Sequence, residues 1–170
     1  MKRRNRMYDI RFMQSLFPAA EAEAAAMGEK EPGAEHLILA SLEFQEGSAR
    51  RVLERVDADP DQFRTAVAAQ SASALGSIGI EDDAASIDKR PTSSADQPSG
   101  VYRNAPSARQ VFPEVVELVK RDKSRLCGAY ILLAASQIQF GTTARALAAM
   151  GVDRDELAAA ARAEVDALNG

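Results

Sequence analysis

The sequence has few of the residues on which catalysis, disulfide bonding and aromatic cores depend. It contains no tryptophan, one histidine and one cysteine, and aromatic residues make up only 5% of the chain. A single cysteine, Cys127, excludes an internal disulfide and is typical of a reducing compartment. The lone histidine, His36, cannot form a metal site without acidic or thiol neighbours. We therefore predict no metal, no cofactor and no enzymatic activity.

Long apolar runs and an excess of positive charge are also missing. No stretch approaches the roughly 18 apolar residues that a membrane span requires. The basic start, Met1–Arg6, is followed by charged residues and not by the apolar run of a signal peptide. The formal net charge is −4, so the surface as a whole does not attract nucleic acid. We predict a cytoplasmic protein that does not enter membranes.

The composition that remains favours helices. Apolar residues make up 46% of the 170 residues, and with so few aromatics the core must be filled by alanine, leucine and valine. Abundant alanine and scarce runs of β-branched residues favour the α-helix over the strand. A chain of this length suits one compact domain or two small ones in close contact.

One segment, Gly33–Glu43, combines a distinctive start with a long apolar run. It begins with glycine, alanine, glutamate and histidine and continues without a proline or a charge until its end. Helical spacing places apolar residues on most sides, so the pattern predicts a helix that is largely buried. A similar segment, Gly128–Ser136, follows 95 residues later.

These two segments belong to a longer internal repeat. The pair Phe112-Pro113 follows Phe17-Pro18 at the same offset, and after a one-residue deletion Gly141 corresponds to Gly47. Matches at a nearly constant offset indicate duplication. Each unit contains four predicted helices in about 60 residues, too few to form a stable core alone. We predict an all-α domain of about eight helices, built from two tandem four-helix repeats that bury their apolar faces together around a pseudo-twofold axis.

The chain divides into four predicted parts. They are a basic flexible tail over residues 1–8, the first repeat over 9–70, a linker over 71–104 that is disordered mainly at 88–100, and the second repeat over 105–170. Within the first repeat, Pro18 should kink or restart the first helix, and Gly28 should end it.

Several short motifs mark both repeats. They are Gly33–Ala40, Gly47–Leu53 and Asp59–Phe63 in the first repeat, and Pro106–Arg109, Gly141–Leu147 and Gly151–Asp153 in the second. With these motifs the chain resembles the Clp N-terminal domain, the doubled four-helix module at the front of Clp-type AAA+ unfoldases. The resemblance implies a docking platform for substrate proteins and adaptors, with no catalysis of its own.

The sequence lacks the phosphate-binding loop of the ATPase ring that follows this module in full unfoldases. We therefore expect a free-standing module. Its partners would be a Clp-type AAA+ unfoldase, the adaptors of that unfoldase or its substrate proteins, and it would act as an adaptor, a decoy or a regulator.

The resemblance also implies candidate ligand-binding residues. Some Clp-family N-domains bind phosphorylated arginine through the glutamate of a Gly-Thr-Glu-His motif in each repeat. The corresponding residues here are Ala34, Glu35 and His36 in the first repeat, and Ala129 and Tyr130 in the second. A carboxylate can pair with the guanidinium while free helix N-terminal amides receive the phosphate. Because Tyr130 carries no charge, at most one half-site for phosphoarginine-bearing peptides is expected.

Each of these features has a simpler interpretation. Glu35 favours the positive end of a helix dipole without any ligand. The basic start, Lys2–Arg6, could hold DNA if the protein were a nucleic-acid-associated regulator. Charges on a flexible arm usually only keep the arm hydrated, so nucleic acid is the less favoured partner. The aromatic residues Phe12, Phe17, Phe112 and Tyr8 could form an exposed docking groove, although core packing is favoured for most of them.

Overall fold

The computed structural model of the protein describes residues 2–77 and 104–169, and its regular structure there is entirely helical. The eight helices of these ranges are α1 (Lys2–Ala26), α2 (Ala34–Leu42), α3 (Ser48–Arg55), α4 (Pro60–Ser77), α5 (Pro106–Asp122), α6 (Gly128–Ala135), α7 (Thr142–Ala149) and α8 (Arg154–Asn169). The predicted all-α fold of two four-helix units is confirmed.

The two short apolar helices α2 and α6 lie at the centre of the molecule. Every residue of both is buried. Helix α2 contacts α1, α6 contacts α5, and the two central helices contact each other. A helix that is apolar on all sides is stable only when other elements cover it, so the sequence pattern of these two segments determines their position.

The outer helices of each repeat pack against outer helices of the other repeat. Helix α3 of the first repeat contacts α8 of the second, and α4 of the first contacts α7 of the second. Since α3 corresponds to α7 and α4 to α8, these two interfaces are related by the predicted pseudo-twofold symmetry. Each repeat therefore covers the core of the other, which explains how units of this size form one shared core.

The first helix is longer than predicted. Helix α1 begins at Lys2, so residues 2–8, predicted to be a flexible tail, form its first turns. It also continues through Pro18 without a restart. It ends near Gly28 as predicted, with φ of +76° at this glycine. The Gly28 and Glu29 amides donate to the carbonyl oxygens of Ala25 and Ala24, which closes the last turn.

The boundary between the first repeat and the linker also differs from the prediction. Helix α4 extends to Ser77, so residues 71–77, assigned to the linker from their serine content, are helical. The segment predicted to be disordered, 88–100, lies outside the described residues. Within the described ranges, no helix combines the length and the apolar character needed to cross a bilayer.

Candidate functional site

The residues proposed from the first repeat lie at the start of α2, inside the protein. Ala34 and His36 are fully buried, and Glu35 is only 5% exposed. The Gly33 amide donates to Nδ1 of His36 at 2.9 Å, and the Ala34 amide donates to Oγ of Ser107 in α5 at 3.1 Å. These two helix N-terminal amides are therefore already bonded to groups of the protein.

The carboxylate of Glu35 connects the two repeats. Its Oε2 accepts a hydrogen bond from Oγ1 of Thr143, in the first turn of α7, at 2.8 Å. Its Oε1 lies so close to Gly33 that a Cβ atom there would be 2.1 Å away. A larger residue at position 33 would therefore displace the carboxylate of Glu35 from this position. The observed role of Glu35 is to join α2 to the second repeat.

The corresponding residues of the second repeat are also interior. Ala129 and Tyr130 are both fully buried. The Ala129 amide donates to Oγ of Ser48 at 2.9 Å, and the Tyr130 hydroxyl donates to Oδ2 of Asp122 at 3.1 Å. Burial opposes ionisation of Asp122, but hydrogen bonds from Arg162 and Tyr130 outweigh it and lower the pKa of the carboxyl group. Tyr130 therefore packs in the core and holds the end of α5.

Glu46 is a residue of this region that the sequence analysis missed. Its Oε1 accepts hydrogen bonds from the Gly128 amide at 2.8 Å and from Oγ of Ser48 at 2.9 Å. Its Oε2 accepts a hydrogen bond from the Ser48 amide at 3.0 Å. A carboxylate from the first repeat thus caps the start of α6, whereas the start of α2 is capped by His36 and by Ser107 of the second repeat. The local sequence around Glu46 does not indicate that its hydrogen-bond partner is the Gly128 amide, 82 residues away.

The fold brings Glu29 close to His36 and to its sequence neighbour Glu35. Glu29, Glu35 and His36 place one potential metal-ligating atom each within 4.8 Å of one another. However, Nδ1 of His36 accepts the Gly33 amide, Glu35 accepts Thr143, and Oε1 of Glu29 accepts the Ser71 hydroxyl at 2.6 Å. Because a protein donor already engages one atom of each side chain, we assign the cluster a structural role. Nε2 of His36 is buried and has no hydrogen-bond partner among the described residues.

A groove lies between α1 and α5, the pair of long helices related by the pseudo-twofold axis. Phe17 of α1 and Phe112 of α5 also contact each other, with ring centroids 4.9 Å apart, and both are buried, as favoured above. The groove has a volume of about 360 Å³. Its lining residues are Arg6, Asp9, Ile10, Met13, Val116, Val119, Lys120 and Leu126.

The lining of this groove is mainly aliphatic and partly open to solvent. Ile10 is 43% exposed, and Met13, Val116 and Val119 are half-buried. Asp9 is engaged at the groove edge, because its Oδ1 accepts the Leu126 amide at 2.8 Å. Open aliphatic surface framed by polar side chains suits contact with apolar groups of another molecule.

Comparisons with known proteins agree with this architecture. The family model for the Clp repeat N-terminal domain matches residues 11–126. Among solved structures, the chain is similar to the N-terminal domain of the caseinolytic protease associated chaperone ClpD from Arabidopsis thaliana, with a TM-score of 0.57 and 19% identity over 91% of this chain and 92% of that chain. At this identity the likeness shows the fold alone. Comparison with curated proteins finds no match.

Proposed function

Because the chain belongs to the family of Clp repeat N-terminal domains, we propose that it is a protein-interaction module of a Clp proteolysis system. It would bind a Clp-type AAA+ unfoldase, an adaptor or a substrate protein, and act as an adaptor, a decoy or a regulator of substrate recognition. The observation that carries this proposal is the open aliphatic groove between α1 and α5, to which both repeats contribute.

The groove suits a peptide segment better than a small reactive substrate. Its floor offers aliphatic carbon from Ile10, Met13 and Val119, which can bury apolar side chains of a partner. Its walls are two long helices, so an extended or helical segment could lie along the groove with side chains inserted at intervals. The groove lies at the surface between two helices, and because most interfaces change little on binding, we expect binding without large rearrangement.

The one thiol of the chain is placed unfavourably for nucleophilic catalysis. Cys127 is free and buried. Burial raises the pKa of its thiol, so the nucleophilic thiolate is disfavoured. The one histidine, His36, is fully buried and caps α2. These placements support a binding role without catalysis.

The proposed function predicts that a charge in the groove prevents partner capture. In Ile10→Asp, a partly exposed apolar side chain becomes a carboxylate that a bound apolar segment would have to desolvate. We expect about tenfold weaker retention of Clp subunits, adaptors or their clients, since losing one aliphatic contact costs about 1.5 kcal/mol. The measurement is quantitative pull-down from cell extract with the purified chain as bait.

Leu168→Asp is the matched control for this experiment. Leu168 is 39% exposed on α8 and does not line the groove, so its variant should capture partners as the wild type does. Failure of the wild-type chain to enrich any Clp component, where another Clp N-domain succeeds, would contradict the proposed function.

The phosphoarginine half-site that the resemblance implies would require a rearrangement at Glu35. The carboxylate would have to leave Thr143 and turn out of the interior to meet a guanidinium. This movement would leave the buried hydroxyl of Thr143 without a hydrogen-bond partner. We therefore expect no saturable response when phosphoarginine is titrated into the wild-type protein. Isothermal titration calorimetry of the wild type and Glu35→Ala is the measurement. A saturable response that Glu35→Ala abolishes would instead establish the half-site.

A further inference from the structure

We propose that the α1–α5 groove selects partners in which an apolar segment is joined to acidic residues. This inference rests on the proposed function, since it names the chemistry of the partner for the same groove. It follows from the distribution of charge at one end of the groove, where the start of α1 meets the end of α5.

Cations from both repeats gather at that end. Arg6 of α1 and Lys120 of α5 both line the groove. Lys123 and Arg125 follow in the exposed loop between α5 and α6, and the guanidinium of Arg125 lies 5.1 Å from the ring centroid of Tyr8 in α1. The antiparallel arrangement of the two helices therefore combines cations that are more than a hundred residues apart in the sequence.

Neighbouring acids leave most of this positive charge available. Among the described residues, no carboxylate oxygen lies within 4.0 Å of the charged groups of Arg6, Lys123 or Arg125. Lys120 pairs with Glu117 at 2.8 Å, but both side chains are about two-thirds exposed, so solvent weakens this pair. Asp122 is bonded to Arg162 and Tyr130 instead.

The helix dipoles do not decide the polarity here, because the positive start of α1 lies beside the negative end of α5. The side chains decide it, and the first turn of α1 contains no acidic residue. The carboxylate of Asp9 also lines the groove and keeps its negative charge while it accepts the Leu126 amide, so it offsets one of these cations. On a chain with a net charge of −4, this end of the groove is thus a local region of opposite sign that attracts acidic groups.

The floor of the groove favours an acidic peptide over nucleic acid. The aliphatic side chains of Ile10, Met13, Val116 and Val119 bury apolar surface but offer no hydrogen bonds to bases or sugars. Nucleic acids expose little apolar surface apart from the faces of their bases, which stack best on aromatic rings. A peptide can satisfy both parts of the groove at once, with apolar side chains on the floor and carboxylates beside Arg6 and Lys120.

Fluorescence anisotropy with designed peptides tests this inference. The probe is a fluorescein-labelled peptide of leucine, isoleucine and alanine that ends in a run of glutamates, and matched peptides end in glutamines or lysines. We expect the glutamate peptide to bind about fivefold to tenfold more tightly than the glutamine peptide, since each exposed ion pair contributes little and several act together. Raising the ionic strength from about 0.1 M to about 1 M should remove this difference, because the Debye length falls from about 10 Å to about 3 Å.

Charge-reversal variants locate the effect. Arg6→Glu combined with Lys120→Glu should bind the glutamate peptide no better than the glutamine peptide. The matched control is Arg109→Glu combined with Arg145→Glu, which changes the net charge equally at exposed positions outside the groove and should keep the preference. Circular dichroism of both variants checks that they remain folded.

The outcomes separate this inference from the proposed function. Equal affinity for glutamate and glutamine peptides in the wild type would overturn the inference, while Ile10-dependent capture of Clp components would still support the proposed function. A DNA duplex of the same charge that binds more tightly than the glutamate peptide would also overturn it. A preference for glutamate that persists in the Arg6 and Lys120 variant would place the acidic contact elsewhere and overturn the assignment to this groove.

Discussion

Replacing Glu164 by alanine is expected to lower the free energy of unfolding by about 2–4 kcal/mol, because the change removes charge-assisted hydrogen bonds between the repeats. Glu164 of α8 is buried. Its carboxylate accepts hydrogen bonds from Nε of Arg51 at 2.5 Å and from Nη2 of Arg55 at 3.1 Å, and both arginines belong to α3. The arginine side chains are 42% and 46% exposed, so they can rehydrate in part, which keeps the loss below that of a fully buried pair. Urea unfolding followed by circular dichroism measures the change.

Asp166→Ala provides the control for this experiment. Asp166 is an exposed acid on the same helix, so its replacement should change stability by about 0.5 kcal/mol or less. A double-mutant cycle between Glu164 and Arg51 should give a coupling energy well above that of an exposed ion pair. Equal stability of Glu164→Ala and Asp166→Ala would contradict the assigned role of Glu164.

The same carboxylate should make stability depend on pH. Burial opposes its charge, but the hydrogen bonds from Arg51 and Arg55 outweigh burial and hold the pKa of Glu164 below its ordinary value of 4.5. A lowered pKa in the folded state means that the stabilisation is fully present above pH 4.5 and is lost as the pH falls through the lower folded value. The stability difference between the wild type and Glu164→Gln should therefore shrink in acid.

Gly128→Val is expected to destabilise the fold by about 3 kcal/mol, near the upper end of the usual cost of overpacking. A Cβ atom at position 128 would lie 2.8 Å from Cβ of Ala49, 3.2 Å from the Ala49 amide nitrogen and 3.0 Å from Oε1 of Glu46. Helix α6 would have to move away from α3, and the hydrogen bond from the Gly128 amide to Glu46 would lengthen. Thermal and urea unfolding measure this loss.

The clash predicts a specific partial rescue. Ala49→Gly in the Gly128→Val background removes the nearest carbon, so the double variant should recover part of the stability although Ala49→Gly alone is destabilising. Strictly additive losses would show that the close approach of α6 to α3 is not the cause. Gly128 thus differs from Gly151, where a Cβ atom would meet nothing within 4 Å and only the φ of +71° favours glycine.

Local pattern was sufficient to predict most of the helices. The apolar runs in Gly33–Glu43 and Gly128–Ser136 identify helices that must be covered, and α2 and α6 are fully buried. The constant offset between the repeats predicted equal units and their symmetry. The helix ends at residues 2 and 77 were missed, because charged and serine-rich sequences are compatible with both helix and coil, and packing or helix continuation decides between them.

The amino-acid sequence by itself determined the helical repeat, its duplication and the two segments that form the centre of the core, because these depend on spacing along the chain. Only the tertiary structure decided what surrounds each charge. It placed Glu35 inside against Thr143, brought Glu46 to the start of α6, and combined Arg6 with Lys120 at one end of the groove. The physical reason is that burial and electrostatic environment depend on contacts between distant segments, and these exist only when the two repeats cover each other.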